Sequence, residues 1–283
     1  MYPNLADDQQ IPELKKRYRN SPDSLIRRSQ VKVYSDGLIA NTTAALLKPY
    51  IESIEIEDLG NTGMNYVSEM RLASYIEQLQ YIDENNGFDF HIHAIGDRGV
   101  RESLNAIESV KESQNPKRKS RHRLTHLELI HADDIERFKD IEVIADFQVA
   151  GEYSLPKNSC EMADFVGKQR AKRSIPVESV RKTGAMVTLS SDYDVNPVNP
   201  FVGIQNATQR GPESVDVKSA IEMYTINGAF VMRQEDRVGS LERGKEADFI
   251  VIDQDILKIN PKHISKTKVL ETYFRGQPIF TRN

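Results

Sequence analysis

Short strand-like runs alternate along this chain with segments of helical periodicity, and this alternation limits the possible folds more than any other feature of the sequence. Five runs between residues 31 and 192 are rich in the β-branched and apolar residues that strands prefer: VKVYSD, FDFHIH, RLTHLEL, EVIADFQ and AMVTLSSD. Helix-like segments separate them, as parallel strands require. The pattern predicts an α/β fold with a parallel sheet.

The segment 68–84 shows the helical period most clearly. Its apolar residues fall three and four positions apart and form one stripe, namely Leu72, Tyr75, Ile76, Leu79 and Ile82. Asn86 and Gly87 follow and tolerate the positive φ that ends a helix. Further helices are predicted at about 100–111, 133–139 and 217–230, and another has Pro176 in its first turn and is ended by Gly184.

The number of strands bears on the architecture. A closed (β/α)₈ barrel needs eight strands and typically about 250 residues. Here five strands and their connections use most of the 283 residues, so a barrel built from this chain alone would be incomplete. From Gly239 onward, the runs GSLERGKEADFIVID and KVLETYFRGQPIF read as short strands with glycine turns. We expect them to form a small β element appended to the α/β part.

Charge and composition exclude several classes of function. The net charge is −4, so no basic surplus is available to neutralise nucleic-acid phosphates. No apolar run approaches the roughly 20 residues that span a bilayer, and the first ten residues lack the pattern of a signal peptide. The single cysteine, Cys160, has no internal disulfide partner. We therefore expect a cytoplasmic protein that binds neither nucleic acid nor membrane.

Four side chains in or after the strands have the chemistry of a metal site: Lys32, His93, His126 and Asp192. The carboxyl ends of barrel strands converge on one site, where zinc accepts histidine and aspartate ligands. A bound metal activates water and polarises a carbonyl, and an aspartate beside it can move the proton. By composition alone, a lone strand histidine is more often a hydrogen-bonded core residue than a metal ligand, and a lone lysine such as Lys32 at a strand start is usually a surface residue with a buried stem.

Five longer stretches, in this order, resemble the amidohydrolase superfamily, in the branch of amidohydrolase family 3 that includes N-substituted formamide deformylase. They run from residue 31 to the C-terminal region: VKVYSDGLIANTTAALLKPY; HIHAIGDRGV; RHRLTHLELIHADDIERF with EVIADFQ; TGAMVTLSSDYDVNPVNPF with GIQNATQR; and YTINGAFVMRQEDRVGSLERGKEADFIVID. The resemblance implies that residues 1–235 are strands four to eight of a TIM barrel. Residues 236–283 would supply C-terminal strands of the β-sandwich beside it.

The resemblance also implies a role for each candidate. Lys32 is similar to the strand-four lysine, which many members carboxylate, and His93 and His126 to the strand-five and strand-six ligands. Asp192 is similar to the strand-eight aspartate, which is both a metal ligand and the general base. The implied cofactor is one or two divalent ions, zinc above all. The implied reaction is hydrolysis of a carbon–nitrogen bond in a small amide or N-substituted formamide by metal-activated water.

One family element is absent from the sequence. Members begin with sandwich strands and a first barrel strand that carries an HxH metal pair. The pair His91 and His93 follows a long helix and runs into AIGDR, which is the strand-five context. We therefore interpret His91 as a residue that lines the barrel or contacts a metal ligand without binding the metal itself. The alternative function is a catalytically incomplete fragment without the HxH half, which would pair with that half or with another copy. A binding protein that keeps only the scaffold is a third possibility.

Other polar residues carry weaker predictions. Asp97 and Arg98 either orient the substrate or form a salt bridge below the barrel rim. Arg210 either binds a substrate carboxylate or forms an ion pair on a helix surface. Asp36 and Gly37 shape the loop after the first strand.

Overall fold

All five predicted α/β strands are present in the computed structural model, which describes residues 1, 3–21, 24–51, 61–111, 118–151, 154–155 and 159–283. They are β1 (Gln30–Tyr34), β2 (Asp89–Ala94), β3 (Arg123–His126), β4 (Ile144–Gln148) and β5 (Val187–Ser190). They form one sheet in the order β1-β2-β3-β4-β5. The pairings of β1 with β2, β2 with β3 and β3 with β4 are parallel. The predicted α/β class is thus confirmed, while closure into a barrel stays a prediction.

A helix lies at each predicted position, with different ends. The described helices are α1 (Ile11–Arg17), α2 (Glu69–Leu79), α3 (Asp97–Ser109), α4 (Arg137–Asp140), α5 (Ser159–Val166), α6 (Lys168–Ala171), α7 (Val177–Lys182), α8 (Pro200–Ala207), α9 (Val217–Tyr224) and α10 (Ile226–Val231). Four of them, α1, α5, α6 and α8, were not predicted. The segment predicted as one helix over 217–230 is two helices, because Thr225 leaves the helical region at φ −119° and ψ −90°. None of the described helices is long and apolar enough to cross a membrane.

The chain divides into two compact units, of which the first comprises Met1–Asp146 and Ser159–Met186. Its core contains Val31 and Val33 of β1 and the buried stripe of α2. Each fully buried large aliphatic side chain stabilises the fold by roughly 1.5–3 kcal/mol. Ser68 begins α2, since its side chain accepts a hydrogen bond from the Arg71 amide at 3.3 Å. Leu72, Tyr75, Ile76 and Leu79 of the predicted stripe are therefore the face that holds α2 in this unit, whereas Ile82 lies beyond the end of the helix and is partly buried.

The second unit comprises Phe147–Asn158 and Val187–Asn283. It contains an antiparallel sheet of β6 (Phe249–Ile252), β7 (Val269–Phe274) and β8 (Gln277–Thr281), in the order β6-β7-β8. The stacked rings of Phe249 and Tyr273, 4.4 Å apart, join β6 to β7. The predicted C-terminal strands are therefore present, while their place in a sandwich and the boundary between 235 and 236 stay predictions.

Candidate functional site

Three basic side chains form a row across the first three strands. Lys32 is the register partner of His91, and His91 is the partner of Arg123. The Lys32 Nζ atom lies 3.3 Å from His91 Nε2, and Arg123 Nη2 lies 2.8 Å from His91 Nδ1. Burial and then the charge of Arg123 lower the pKa of His91 far below its usual value, so its imidazole is neutral. The interpretation of His91 as a barrel-lining residue, or as a neighbour of a metal ligand, stays a prediction.

His93 and His126 meet at the carboxyl ends of β2 and β3. Their ring centroids are 4.4 Å apart, and His93 is 5% exposed. Strict alternation would send the two rings to opposite faces, because the register partner of His93 is Thr125. Instead, His126 has a φ of +78°, which ends the regular strand. The structure therefore brings together two of the four predicted metal ligands.

The surroundings of His93 fix which of its nitrogens carries the proton. Its Nε2 atom lies 3.0 Å from the Gly37 carbonyl oxygen, which can only accept a hydrogen bond. Nε2 therefore donates, and Nδ1 keeps its lone pair. Burial lowers the pKa of His93 to about 4, so the ring is neutral. A neutral imidazole whose other nitrogen is bonded to a carbonyl is the usual state of a metal-ligating histidine, and His93 fits a metal in this respect.

The buried carboxylate of Asp36 joins the loop after β1 to the end of β2, a role that the sequence revealed only in part. Its carboxylate is fully buried and accepts hydrogen bonds from the amides of Ala45 at 2.9 Å, Ile95 at 3.0 Å and Gly96 at 2.8 Å. It also lies 3.8 Å from His93 Nε2. Burial raises the pKa of Asp36 to about 7 against the effect of these hydrogen bonds. Asp36 thus shapes the loop after β1, as predicted, and also anchors the end of β2.

Glu128 is a second carboxyl group near Asp36 with a raised pKa. Glu128 follows β3, and burial followed by the charge of Asp36 raises its pKa to about 7. Neither carboxyl group had been singled out as titratable from the sequence. Burial is a tertiary property, and a single acidic residue at the end of a strand-like run carries no local signal for it.

Asp192 lies in the second unit, two residues after β5. It is exposed, its φ is +52°, and its carbonyl accepts a hydrogen bond from the Val195 amide at 2.8 Å. Within the part of the chain that the structure describes, no group of three or more His, Cys, Asp or Glu side chains is arranged to hold a metal ion. The metal roles of Lys32, His93, His126 and Asp192 therefore stay predictions.

The predicted substrate-binding residues make structural contacts. Asp97 is 5% exposed and accepts a hydrogen bond from the Leu47 amide at 2.8 Å. Arg98 donates to the carbonyls of Leu46, Thr62 and Gly63 at 3.1–3.3 Å and lies 3.8 Å from Glu102. Both side chains therefore hold segments that follow β1, and their substrate role stays a prediction.

Arg210 belongs to the second unit and is 3% exposed. Its guanidinium donates a hydrogen bond to the Ser154 carbonyl. This burial does not match an ion pair on a helix surface. Its predicted role in binding a substrate carboxylate remains a prediction.

The sequence matches a known protein family and is similar to several known proteins. The model of the Amidohydrolase family, Amidohydro_3, matches residues 4–280. The chain is 28% identical over 269 residues to the protein YtcJ of Bacillus subtilis strain 168, covering 89% of this chain and 47% of that protein. It is 26% identical over 267 residues to N-substituted formamide deformylase of Arthrobacter pascens, covering 90% and 46%. The chain thus spans about half the length of the curated relatives it matches.

A solved structure shows a similar arrangement of the chain. It is an uncharacterized metal-dependent hydrolase from Pyrococcus furiosus, with a TM-score of 0.72 and 26% sequence identity. The match covers 88% of this chain and 50% of the other. The similarity therefore covers most of this chain and half of the other.

Proposed function

Because the chain belongs to the amidohydrolase family, whose model it matches over residues 4–280, we propose that the protein is a metal-dependent hydrolase of carbon–nitrogen bonds. The observation that carries the proposal is the contact between His93 and His126 at adjacent strand ends. A neutral imidazole at His93, whose second nitrogen is bonded to a carbonyl, lies against the His126 ring, and such a pair suits a divalent ion. The Pyrococcus furiosus relative is itself named a metal-dependent hydrolase.

In this proposal, separate residues bind the metal, transfer the proton and bind the substrate. His93, His126 and Lys32 would hold one or two divalent ions, zinc above all, with Lys32 as the carbamate that its neutral amine forms by adding CO₂ and losing a proton. When bound, such an ion lowers the pKa of a water to near 7 and polarises the substrate carbonyl. Asp192 would be the general base, whose carboxylate would hold the proton of the attacking water and pass it to the leaving nitrogen. Asp97, Arg98 and Arg210 are the proposed substrate-binding residues.

We propose a small amide or N-substituted formamide as the substrate. Similarity to the Arthrobacter pascens deformylase over 90% of the chain supports this choice. Similarity to a 5-methylthioadenosine/S-adenosylhomocysteine deaminase of Teredinibacter turnerae covers only 36% of the chain, at 36% identity. The deformylase is therefore the better guide to the bond that is cleaved.

A catalytically incomplete chain is the second candidate. Two observations favour it: the described residues contain no three-membered group of the usual ligands, and the chain corresponds to 46% of the deformylase. Under this alternative, the remaining ligands come from a partner polypeptide that carries the HxH half, or from another copy. The chain alone would then bind metal weakly and would not turn over substrate.

Metal analysis with an activity assay tests the proposal. We expect the purified chain, loaded with zinc and desalted, to retain close to one equivalent and to hydrolyse an N-substituted formamide. His93→Asn should lose the metal, whereas His131→Asn, at a capping histidine, should keep it. Less than about a tenth of an equivalent of zinc, together with no hydrolysis, would overturn catalysis by this polypeptide and favour the second candidate.

A further inference from the structure

Two adjacent aliphatic residues, Leu25 and Ile26, form an exposed apolar tip near the start of the described chain. Leu25 is 75% exposed and Ile26 is 78% exposed. Single exposed apolar residues are common on protein surfaces, whereas neighbouring ones with a polar rim mark sites of contact with other molecules. The apolar tip therefore needs a second observation, and its surroundings supply one.

A backbone bridge closes the loop that carries the apolar tip. The amide of Arg28 donates to the Arg19 carbonyl at 2.7 Å, and the amide of Arg19 donates to the Arg28 carbonyl at 3.1 Å. Next to the bridge, the Tyr18 ring packs edge-on against the buried ring of Phe88, with 5.1 Å between the centroids. The base of the loop is thus anchored in the core of the first unit, while the apolar tip stays in solvent.

Cationic side chains flank the apolar tip on both sides along the chain. The segment 15–28 contains six lysine and arginine residues and one acidic residue, Asp23, which gives it a net charge of +5 in a chain of net charge −4. The structure exposes four of the six cationic residues, namely Lys16, Arg17, Arg19 and Arg28. The loop therefore combines exposed aliphatic surface with a strong local positive charge.

This local charge bears on the prediction that the protein binds no membrane. That prediction followed from the net charge and from the lack of an apolar run that spans a bilayer, and both are properties of the whole chain. Charges act on a ligand mainly within a Debye length, about 8 Å at physiological ionic strength. Binding at a membrane surface also needs no spanning segment. A local surface can thus bind an anionic membrane although the chain as a whole is acidic.

We propose that the apolar tip and the cationic residues of segment 15–28 bind the surface of an anionic lipid membrane, with Leu25 and Ile26 inserted among the headgroups. Each lysine or arginine near an anionic leaflet strengthens binding roughly fivefold, and burial of the two aliphatic side chains adds to this. A stable protein–protein interface buries about 1,200–2,000 Å² around an apolar centre. Two side chains are too few for such a centre, so the loop suits a lipid surface rather than an acidic protein.

Co-sedimentation of the full chain with vesicles tests the proposal. We expect vesicles of phosphatidylcholine with about 30% phosphatidylserine to bind the chain at least roughly tenfold more tightly than vesicles of phosphatidylcholine alone. Leu25→Ser combined with Ile26→Ser should weaken this binding roughly 10–30-fold. Arg19→Gln combined with Arg28→Gln should weaken it by a similar factor. Circular dichroism spectra like that of wild type would show that these surface variants remain folded.

Matched controls come from exposed residues elsewhere in the chain. Leu241→Ser, at a leucine that is 74% exposed, and Lys172→Gln, at an exposed lysine, should each change vesicle binding by less than about twofold. Equal binding of wild type to the two kinds of vesicle would overturn the proposal. So would unchanged binding when both Leu25 and Ile26 are replaced by serine.

Tryptophan fluorescence reports whether the apolar tip enters the lipid. The chain has no tryptophan, so Leu25→Trp supplies a single reporter and Leu241→Trp a matched one. Anionic vesicles should shift the emission from position 25 to shorter wavelength and leave that from position 241 unchanged, because only the apolar tip leaves water. An unshifted spectrum at position 25 in vesicle-bound protein would overturn insertion.

Two further results would assign the loop to a different partner and overturn the proposal. The first is binding of soluble polyglutamate that is lost when Leu25 and Ile26 are replaced by serine, which would indicate an acidic polypeptide. The second is a dimer in lipid-free solution that the same double replacement dissociates, measured by sedimentation velocity, which would indicate a second copy of this chain.

Discussion

At the scale of the residue, Asp36 shows how one side chain joins three segments of the candidate site. It receives backbone N–H groups from the loop after β1 and from the end of β2, and it lies against His93. Charged acceptors make hydrogen bonds that contribute more than neutral ones. The position of His93 therefore depends on a carboxylate that contributes no ligand in the proposed site.

Asp36→Asn tests this dependence. The amide offers one acceptor oxygen and turns an NH₂ group toward backbone N–H donors, so at least one buried donor loses its partner. We expect the free energy of unfolding at pH 8 to fall by about 2–4 kcal/mol. Urea titration followed by circular dichroism measures it. Asp164→Asn, at an exposed position in α5, should change stability by less than about 0.5 kcal/mol, and an equally mild effect of Asp36→Asn would contradict the anchor role.

A second prediction at this scale concerns the general base. In a preparation that hydrolyses an amide, Asp192→Asn should lower kcat roughly 10²–10⁴-fold, because the carboxylate can no longer accept the proton of the attacking water. Asp194→Asn, two residues further on and also exposed, provides a matched control with an expected change below about threefold. A similar kcat for both variants would place the base elsewhere.

At the scale of the element, the start of α3 packs so closely against the loop after β1 that a side chain of even one carbon would not fit between them. Gly96 precedes α3, and a Cβ atom there would lie 2.0 Å from the Ala45 carbonyl oxygen. The same two residues donate their amides to Asp36. The start of α3 and the loop after β1 are thus held together by a close backbone approach that only glycine permits.

Gly96→Ala should therefore separate these elements. We expect a loss of about 2–4 kcal/mol in the free energy of unfolding, measured by thermal or urea denaturation. Gly228→Ala is the matched control, because an added Cβ in α10 meets nothing within 4 Å. Alanine there should stabilise the helix by about 0.5–1 kcal/mol. Retained stability in Gly96→Ala would show that the two segments can move apart at little cost.

Helix α7 carries an ion pair with a pH-dependent contribution. Glu178 is buried and meets the Arg181 guanidinium at 2.6 and 2.8 Å, and this hydrogen bonding lowers the pKa of Glu178. Because the pKa of Glu178 is lower in the folded protein, the ion pair contributes its full stabilisation above the pKa of glutamate in the unfolded chain, about 4.3. This stabilisation is lost as the pH falls through the pKa of Glu178 in the folded protein.

Glu178→Gln should cost roughly 1 kcal/mol at pH 7, since Arg181 is partly exposed and solvent screens the pair. The difference from wild type should shrink as the pH falls below 4, which urea titrations across the pH range would reveal. Glu136→Gln, at an exposed glutamate, should show no such trend. A constant difference from pH 3 to pH 7 would mean that packing, and not charge, accounts for the effect.

At the scale of the whole molecule, the periodicity of the sequence was sufficient to predict the α/β class, the five strands and the C-terminal β element. These features are local, because the spacing of apolar residues along a segment indicates whether it forms a strand or a helix and which face is buried. Element ends were less predictable: α2 ends at Leu79 and the segment 217–230 divides at Thr225. Such ends depend on capping contacts made outside the periodic pattern.

The residue types at the candidate site could also be identified from the sequence alone. Lys32, His93 and His126 lie in strand sequences that resemble those of the amidohydrolases. Only the tertiary structure decided which of these groups touch. The positive φ of His126, the row from Lys32 to Arg123 and the burial of Asp36 arise from distant segments brought together. Hydrogen-bond direction and pKa are set by such neighbours, so no local pattern could have specified them.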